Sequence, residues 1–117
     1  MQTGKIIMAN AANTIKHVSL ELGGKAPALV FDDADLDRSV AEIRRGVLAL
    51  NGQMCTCISR ILVQDSVYDS MKTRLTDALA SVRAGDASNV ETELGPIIDG
   101  ANQQRLATII DRAASEA

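Results

Sequence analysis

The spacing of the apolar residues changes along this chain, and those changes set the folds open to it. Leu36, Val40, Ile43, Val47 and Leu50 follow at intervals of 4, 3, 4 and 3, the repeat that lines one face of an α-helix. Val67, Met71, Leu75, Leu79 and Val82 make a second such stripe. Each stripe is preceded by a short strand-like run, Ala28-Leu29-Val30-Phe31 before the first and Ser59-Arg60-Ile61-Leu62-Val63 before the second. Runs of this length, bounded by turn residues, suit buried strands. Strand, helix, strand, helix is the alternation of an α/β protein.

Local signals sharpen the boundaries. Asp33 to Asp35 offer N-cap carboxylates for the first stripe,, and Asn51-Gly52 stops it. Asp65 is placed to cap the second, which Gly85 ends. A polar connection follows from Asp86 to Glu93, Gly95-Pro96 marks a turn, and Asp99 is placed to cap a last helix in which Leu106, Ile110 and Ala113 share a face. Upstream, residues 5 to 14 read as a short helix with Ile6, Ile7, Met8 and Ala11 as its apolar surface. The alternation of His17-Val18-Ser19-Leu20-Glu21-Leu22 reads as a strand ended by Gly23-Gly24,. The expected order is helix, strand, strand, helix, strand, helix, helix. Three strands make a thin sheet, and a helix near the N-terminus with no strand before it suggests an element of a larger βαβ array.

Composition adds exclusions. The 117 residues fit one compact domain,. Phe31 and Tyr68 are the only aromatic residues, so the core must be built from Leu, Ile, Val, Ala and Met. A net charge of -3 lacks the basic excess of a nucleic-acid footprint, and Arg44-Arg45 reads as the solvated side of a helix. No run of 18 apolar residues exists, which excludes a transmembrane helix by pattern,. The N-terminus lacks the parts of a signal peptide. Cys55 and Cys57 stand too close in sequence for a structural disulfide,, so free thiols in a reducing, cytoplasmic compartment are expected.

The segment from Asn51 to Arg60 joins a helix to a strand and carries both cysteines. A thiol in such a loop is held by rigid elements yet can be reached, as a nucleophile must be; an inert buried thiol is the competing reading. The helix C-terminus works against a thiolate, so activation has to come from neighbouring N–H groups, a bound cationic group or a base. A redox dithiol usually has two residues between its cysteines. A metal site needs more ligands than these thiols and His17, the only histidine,, so no metal is expected. Glu21 sits at the end of the alternating strand, just before two glycines; it is either a partly solvated strand end or a general base beside an opening.

Together these residues resemble a known family. Leu20-Glu21-Leu22-Gly23-Gly24-Lys25-Ala26-Pro27 is similar to the glutamate signature of aldehyde dehydrogenases. Gly52-Gln53-Met54-Cys55, followed by Ser59-Arg60, resembles that family's cysteine signature. The stretches from Phe31 to Asp37 and from Leu94 to Ile98 also look like family sequence, and the two signatures lie 34 residues apart, the family's separation. The resemblance implies a partial aldehyde dehydrogenase-like fold: residues 1–22 as the C-terminal end of the Rossmann-like dinucleotide-binding domain, residues 23–117 as the N-terminal part of the catalytic domain. It implies Cys55 as the nucleophile that forms a thiohemiacetal and then, after hydride passes to NAD or NADP, a thioester. It implies Glu21 as the base that activates the hydrolytic water. Gly4 matches the second glycine of the cofactor loop, Leu22 places a carbonyl near the nicotinamide amide, and Arg105 stands where a basic residue approaches the cofactor ribose. Cys57 falls on a small-residue position, and Leu50 on one where many members have a polar residue such as Asn.

The implied parent acts on a small-molecule aldehyde, is a homo-oligomer, and has several hundred residues. On that reading the isolated chain is inactive, because much of the cofactor site lies elsewhere. Two alternatives stand beside it. A CoA-acylating semialdehyde dehydrogenase would commonly lack the base at Glu21. A non-catalytic truncated scaffold would leave sheet edges and apolar helix faces uncovered.

Overall fold

The structure, a computed structural model, describes residues 1–116. Its elements are α1 (Gln2–Ala12), β1 (Ala26–Val30), α2 (Leu36–Leu48), β2 (Ile58–Val63), α3 (Tyr68–Ala80) and α4 (Gly100–Glu116), with 3₁₀ turns at Ala49–Gly52 and Asp65–Val67. The chain divides into two compact units, one from Met1 to Ala80 and one from Ser81 onward.

The first unit is built on a β1–α2–β2 crossover. β1 and β2 pair in parallel, with Leu29 opposite Leu62 and Val30 opposite Val63. A parallel pair needs a long connection, and α2 supplies it. Asp35 caps that helix as its sequence predicts: Arg38 donates its backbone N–H to the Asp35 carboxylate at 3.1 Å. The stripe then buries. Val30, Ile43 and Met71 form the centre of the core, with Leu36, Val40, Val47, Ile58, Ile61, Val63 and Leu75 against it. Met71 is only 1% exposed. Its unbranched side chain fills the space where a core without aromatics has no large planar group to do so. Gly46 brings α2 close to β2, since a Cβ there would stand 2.6 Å from Ile58 Cδ1.

The other face of the sheet carries Leu29, Phe31 and Leu62, all exposed.

Several expectations are corrected. The segment from His17 to Leu22 is not a strand. Alternation reports one buried face but not a hydrogen-bonding neighbour, and among the described residues no strand lies beside it; the sheet has two strands, not three. α1 begins and ends earlier than residues 5 to 14, and Ile6, Ile7 and Met8 are exposed, leaving Gly4 as its buried residue. α2 stops at Leu48, so Leu50 leaves the stripe and is 73% exposed. Asp65 opens a 3₁₀ turn that shows no side-chain cap. α3 ends at Ala80, before Val82 and Gly85. Arg45 is solvated and paired with Glu42, but Arg44 is not: its Nε donates to the Ala78 carbonyl at 3.1 Å, satisfying one of the acceptors a helix end leaves open.

In the second unit, Ala84 and Leu94 form an isolated parallel bridge. Arg83 braces it, donating from Nε to the Glu91 carbonyl at 2.8 Å and pairing with the Glu91 carboxylate at 3.3 Å. The chain turns at residues 87–91 rather than at Gly95-Pro96. Asp86 accepts from the Ser88 N–H and hydroxyl, both at 2.8 Å, and these donors hold its carboxyl below the ordinary value of 3.8. Asp99 caps α4 as predicted, accepting from Asn102 N–H at 2.7 Å. The Leu106–Ile110 face of α4 is left exposed. Among the described residues no helix is long and apolar enough to cross a membrane.

Candidate active site

The loop that carries Cys55 begins where α2 ends. Leu50 (φ 46°) and Asn51 (φ 56°) adopt the left-handed conformation, and Gly52 (φ 71°) follows. Glycine takes this region freely and Asn tolerates it, whereas a residue such as Leu loses about 1–2 kcal/mol there. α2 has already ended at its C-cap, Ala49, and this turn leads the chain into the cysteine loop. Inside the loop, Gln53 N–H donates to the Leu50 carbonyl and Cys57 N–H to the Met54 carbonyl, each at 3.1 Å. Cys55 is exposed and Cys57 buried, and both are free thiols.

The loop rejoins the sheet through a bulge. Ala26 pairs with Ile58 but Pro27 pairs with Arg60, so Ser59 has no partner across the ladder. Such an extra residue re-aims side chains at the rim of a sheet, and Ser59 does line the site. Arg60 then donates from Nη2 to the Lys25 carbonyl at 2.9 Å. That bond fixes the segment after Glu21 against the start of β2.

These pieces enclose an open hollow of about 550 Å³. Cys55 and Glu21 both line it, with Leu22, Gly24, Gln53 and Ser59 among the other walls. Residues 34 positions apart in sequence therefore share one opening. The approach of the two segments depends on Gly24: a Cβ built there falls on the Cys55 carbonyl oxygen, well inside van der Waals contact. At Gly23, one residue earlier, a Cβ would meet nothing within 4 Å.

The three candidate cofactor residues are placed differently. Leu22 lines the hollow beside Glu21. Gly4 is buried behind it, where a Cβ would stand 3.1 Å from Leu22 Cδ1 and 3.5 Å from Leu20 Cδ1. Its lack of a side chain seats the first turn of α1 on those two leucines, so that Thr3 and Met1 reach the hollow. Arg105 lies in the second unit, on α4, with its Nε and Nη2 directed at Asn102 Oδ1. Ser59 and Gln53 also line the hollow; in the sequence they stand only as members of the cysteine signature, with nothing to mark either as a site residue.

The chain matches the aldehyde dehydrogenase family over residues 1–117, and it belongs to that family. It is 43% identical to the mitochondrial succinate-semialdehyde dehydrogenase of Arabidopsis thaliana over 113 residues, which is 97% of this chain and 21% of that protein. It is 41% identical to the lactaldehyde dehydrogenase of Escherichia coli over 117 residues, 99% of this chain and 24% of the relative. Among solved structures, Escherichia coli lactaldehyde dehydrogenase superposes with a TM-score of 0.94 at 41% identity, covering 99% of this chain and 24% of the other. Staphylococcus aureus betaine aldehyde dehydrogenase in complex with NAD⁺ does so with 0.93 at 39% identity, covering 99% and 23%. The chain thus spans less than a quarter of the length of these relatives. The mixed α/β fold with a small parallel sheet agrees with them.

Proposed function

We propose that these residues form the nucleophile-and-base segment of an NAD(P)-dependent aldehyde dehydrogenase that converts an aldehyde to a carboxylic acid. Sharing of one hollow by Cys55 and Glu21 carries the reading. The Cys55 sulfur adds to the aldehyde carbon, and the carbonyl oxygen becomes an oxyanion that the Cys55 backbone N–H can hold, a donor whose loss typically costs about 10²–10³ in rate. The adduct is a thiohemiacetal. NAD⁺ or NADP⁺, when bound, supplies the two-electron acceptor that turns this adduct into a thioester. Glu21 takes a proton from water as the water oxygen attacks the thioester carbon, the C–S bond breaks, and the acid leaves with the thiolate restored.

The first unit suits the nicotinamide end of the cofactor. Leu22 lies on the hollow, and the seating of α1 on Leu20 and Leu22 through Gly4 turns that helix's N-terminus to the same opening. A helix N-terminus with free N–H groups favours anionic groups such as phosphate. Arg105 is assigned to the ribose end by resemblance. On this reading residues 1–22 close the cofactor domain, residues 23–117 open the catalytic domain, and the parent enzyme is a homo-oligomer in the reducing cytoplasm. Glu21 speaks against the CoA-acylating branch, which has no need of a base for water.

The test replaces the matching stretch of Escherichia coli lactaldehyde dehydrogenase with these 117 residues. Cys55→Ala is expected to abolish turnover. Glu21→Gln is expected to leave a single burst of NADH but slow the steady state by about 10²–10⁴-fold, the usual contribution of a positioned base. Full turnover in the Cys55→Ala graft would refute the assignment. The isolated chain, with most of the family's length absent, is expected to show no turnover with NAD⁺ or NADP⁺ and small aldehydes.

A further inference from the structure

We propose that Cys57 is a positioning residue for Cys55: its thiol, donating to the Ala49 carbonyl, ties the two ends of the cysteine loop together. The inference rests on the reading of Cys55 as the nucleophile, but it comes from a different observation. Cys57 is 8% exposed, one of only four buried apolar residues among those described. Its Sγ lies 3.2 Å from the Ala49 oxygen, eight residues back along the chain. Ala49 is the C-cap of α2, where helix geometry leaves carbonyls without intrahelical donors. The thiol therefore answers an acceptor at the point where the chain leaves the helix.

What lies between those two residues needs such a tie. Leu50, Asn51 and Gly52 are all left-handed, a conformation that persists in non-glycine residues when the surroundings over-determine it. Two backbone bonds outside the helical turn are local: Gln53 to Leu50 and Cys57 to Met54. Each of these spans three residues and shapes one half of the loop. The Cys57–Ala49 bond joins the loop's two ends, and Cys55 sits in the loop so closed. Burial also separates the roles of the two cysteines, since the exposed Cys55 can meet a substrate and the Cys57 sulfur is already engaged with a carbonyl.

A packing role and a hydrogen-bonding role predict opposite orders for two substitutions. If Cys57 only fills space, Cys57→Ala is milder than Cys57→Ser, because a buried hydroxyl without need of a partner is unfavourable. If its donation positions the loop, Cys57→Ser preserves the donor and is the milder. Both variants and the unsubstituted chain are compared by amide hydrogen exchange over residues 50–57 and by the iodoacetamide alkylation rate of Cys55, located by tandem mass spectrometry. Cys57→Ala is expected to speed loop exchange and shift the Cys55 rate by about 2–5-fold, the size of one weak S–H···O bond, with α2 and α3 protection unchanged. Cys57→Ser is expected to stay within about twofold on both readouts, on the same scale. An alanine variant equal to the unsubstituted chain, or closer to it than serine, overturns the proposal. Should Cys57→Ala fail to fold, Cys57→Ser decides alone: retained loop protection supports the tie and lost protection overturns it. Loop exchange that follows the expected order while Cys55 alkylates no faster than free glutathione upholds the tie and counts only against the nucleophile reading.

Discussion

Replacing Gly24 with alanine tests the geometry of the site with a single methyl group. The added Cβ falls on the Cys55 carbonyl oxygen, with the Cys55 carbonyl carbon 3.5 Å away. Both obstructing atoms belong to backbone, so no rotamer change relieves the clash. Either the Glu21–Gly24 segment or the cysteine loop must retreat until the methyl and the oxygen reach ordinary contact, a movement approaching an ångström. Overpacking of this kind typically costs about 1–3 kcal/mol. For a unit of this size each kcal/mol corresponds to a fall in Tm of about 4–8 °C. The same displacement separates Cys55 from Glu21, and under the roles proposed for them a shift of about 1 Å in a reacting group can lower rate by about 10²-fold. Gly23→Ala is the matched control: its Cβ meets open space, and the lower entropy of the unfolded chain leaves it neutral or slightly stabilising. Thermal unfolding of both variants in the isolated chain, and kcat/KM of both in the lactaldehyde dehydrogenase graft, provide the comparison. If Gly24→Ala and Gly23→Ala behave alike in both assays, the close approach of the two segments is refuted.

Three other perturbations follow from the structure. Met71→Ala removes the most deeply buried side chain and is expected to destabilise the first unit by about 2–5 kcal/mol, read by urea unfolding. Leu50→Asn is expected to stabilise by up to about 1–2 kcal/mol in the same assay, because Leu50 is left-handed and exposed, so that strain is relieved with little burial lost,. The Asp86 carboxyl, held by the Ser88 donors, is expected to titrate below 3.8 in a carbon-13 NMR titration. Its support for the turn is then present above that value and fades as the pH falls through the lower folded midpoint.

The elements that sequence predicts well are those whose signals are local. Asp35 is followed by an unbroken apolar stripe, and the helix it caps appears where expected. The apolar runs at Ala28 and Ile61 became the paired strands for the same reason. His17 to Leu22 failed because a strand needs a neighbour, which no feature of those six residues can report. Leu50 failed because its apolar character fits the stripe while its backbone has already left the helix. The two residues that the signatures single out, Cys55 and Glu21, do line one hollow. The steric demand at Gly24, the clasp between Cys57 and Ala49 and the unpaired Ser59 were not legible in the sequence, since each depends on atoms brought together only by folding.

The bulge at Ser59 gives the loop and the sheet separate settings. Beyond it, the ladder from Pro27 to Val30 points alternate side chains toward α2 and α3; before it, the chain is one residue out of step. A strand without that offset would tie the aim of the cysteine to the demands of the core, because a slip of one position reverses every side chain. With the offset, the hydrophobic interior can be repacked over evolutionary time while the thiol keeps its bearing, as a hinge pin allows a door to be rehung without moving its frame.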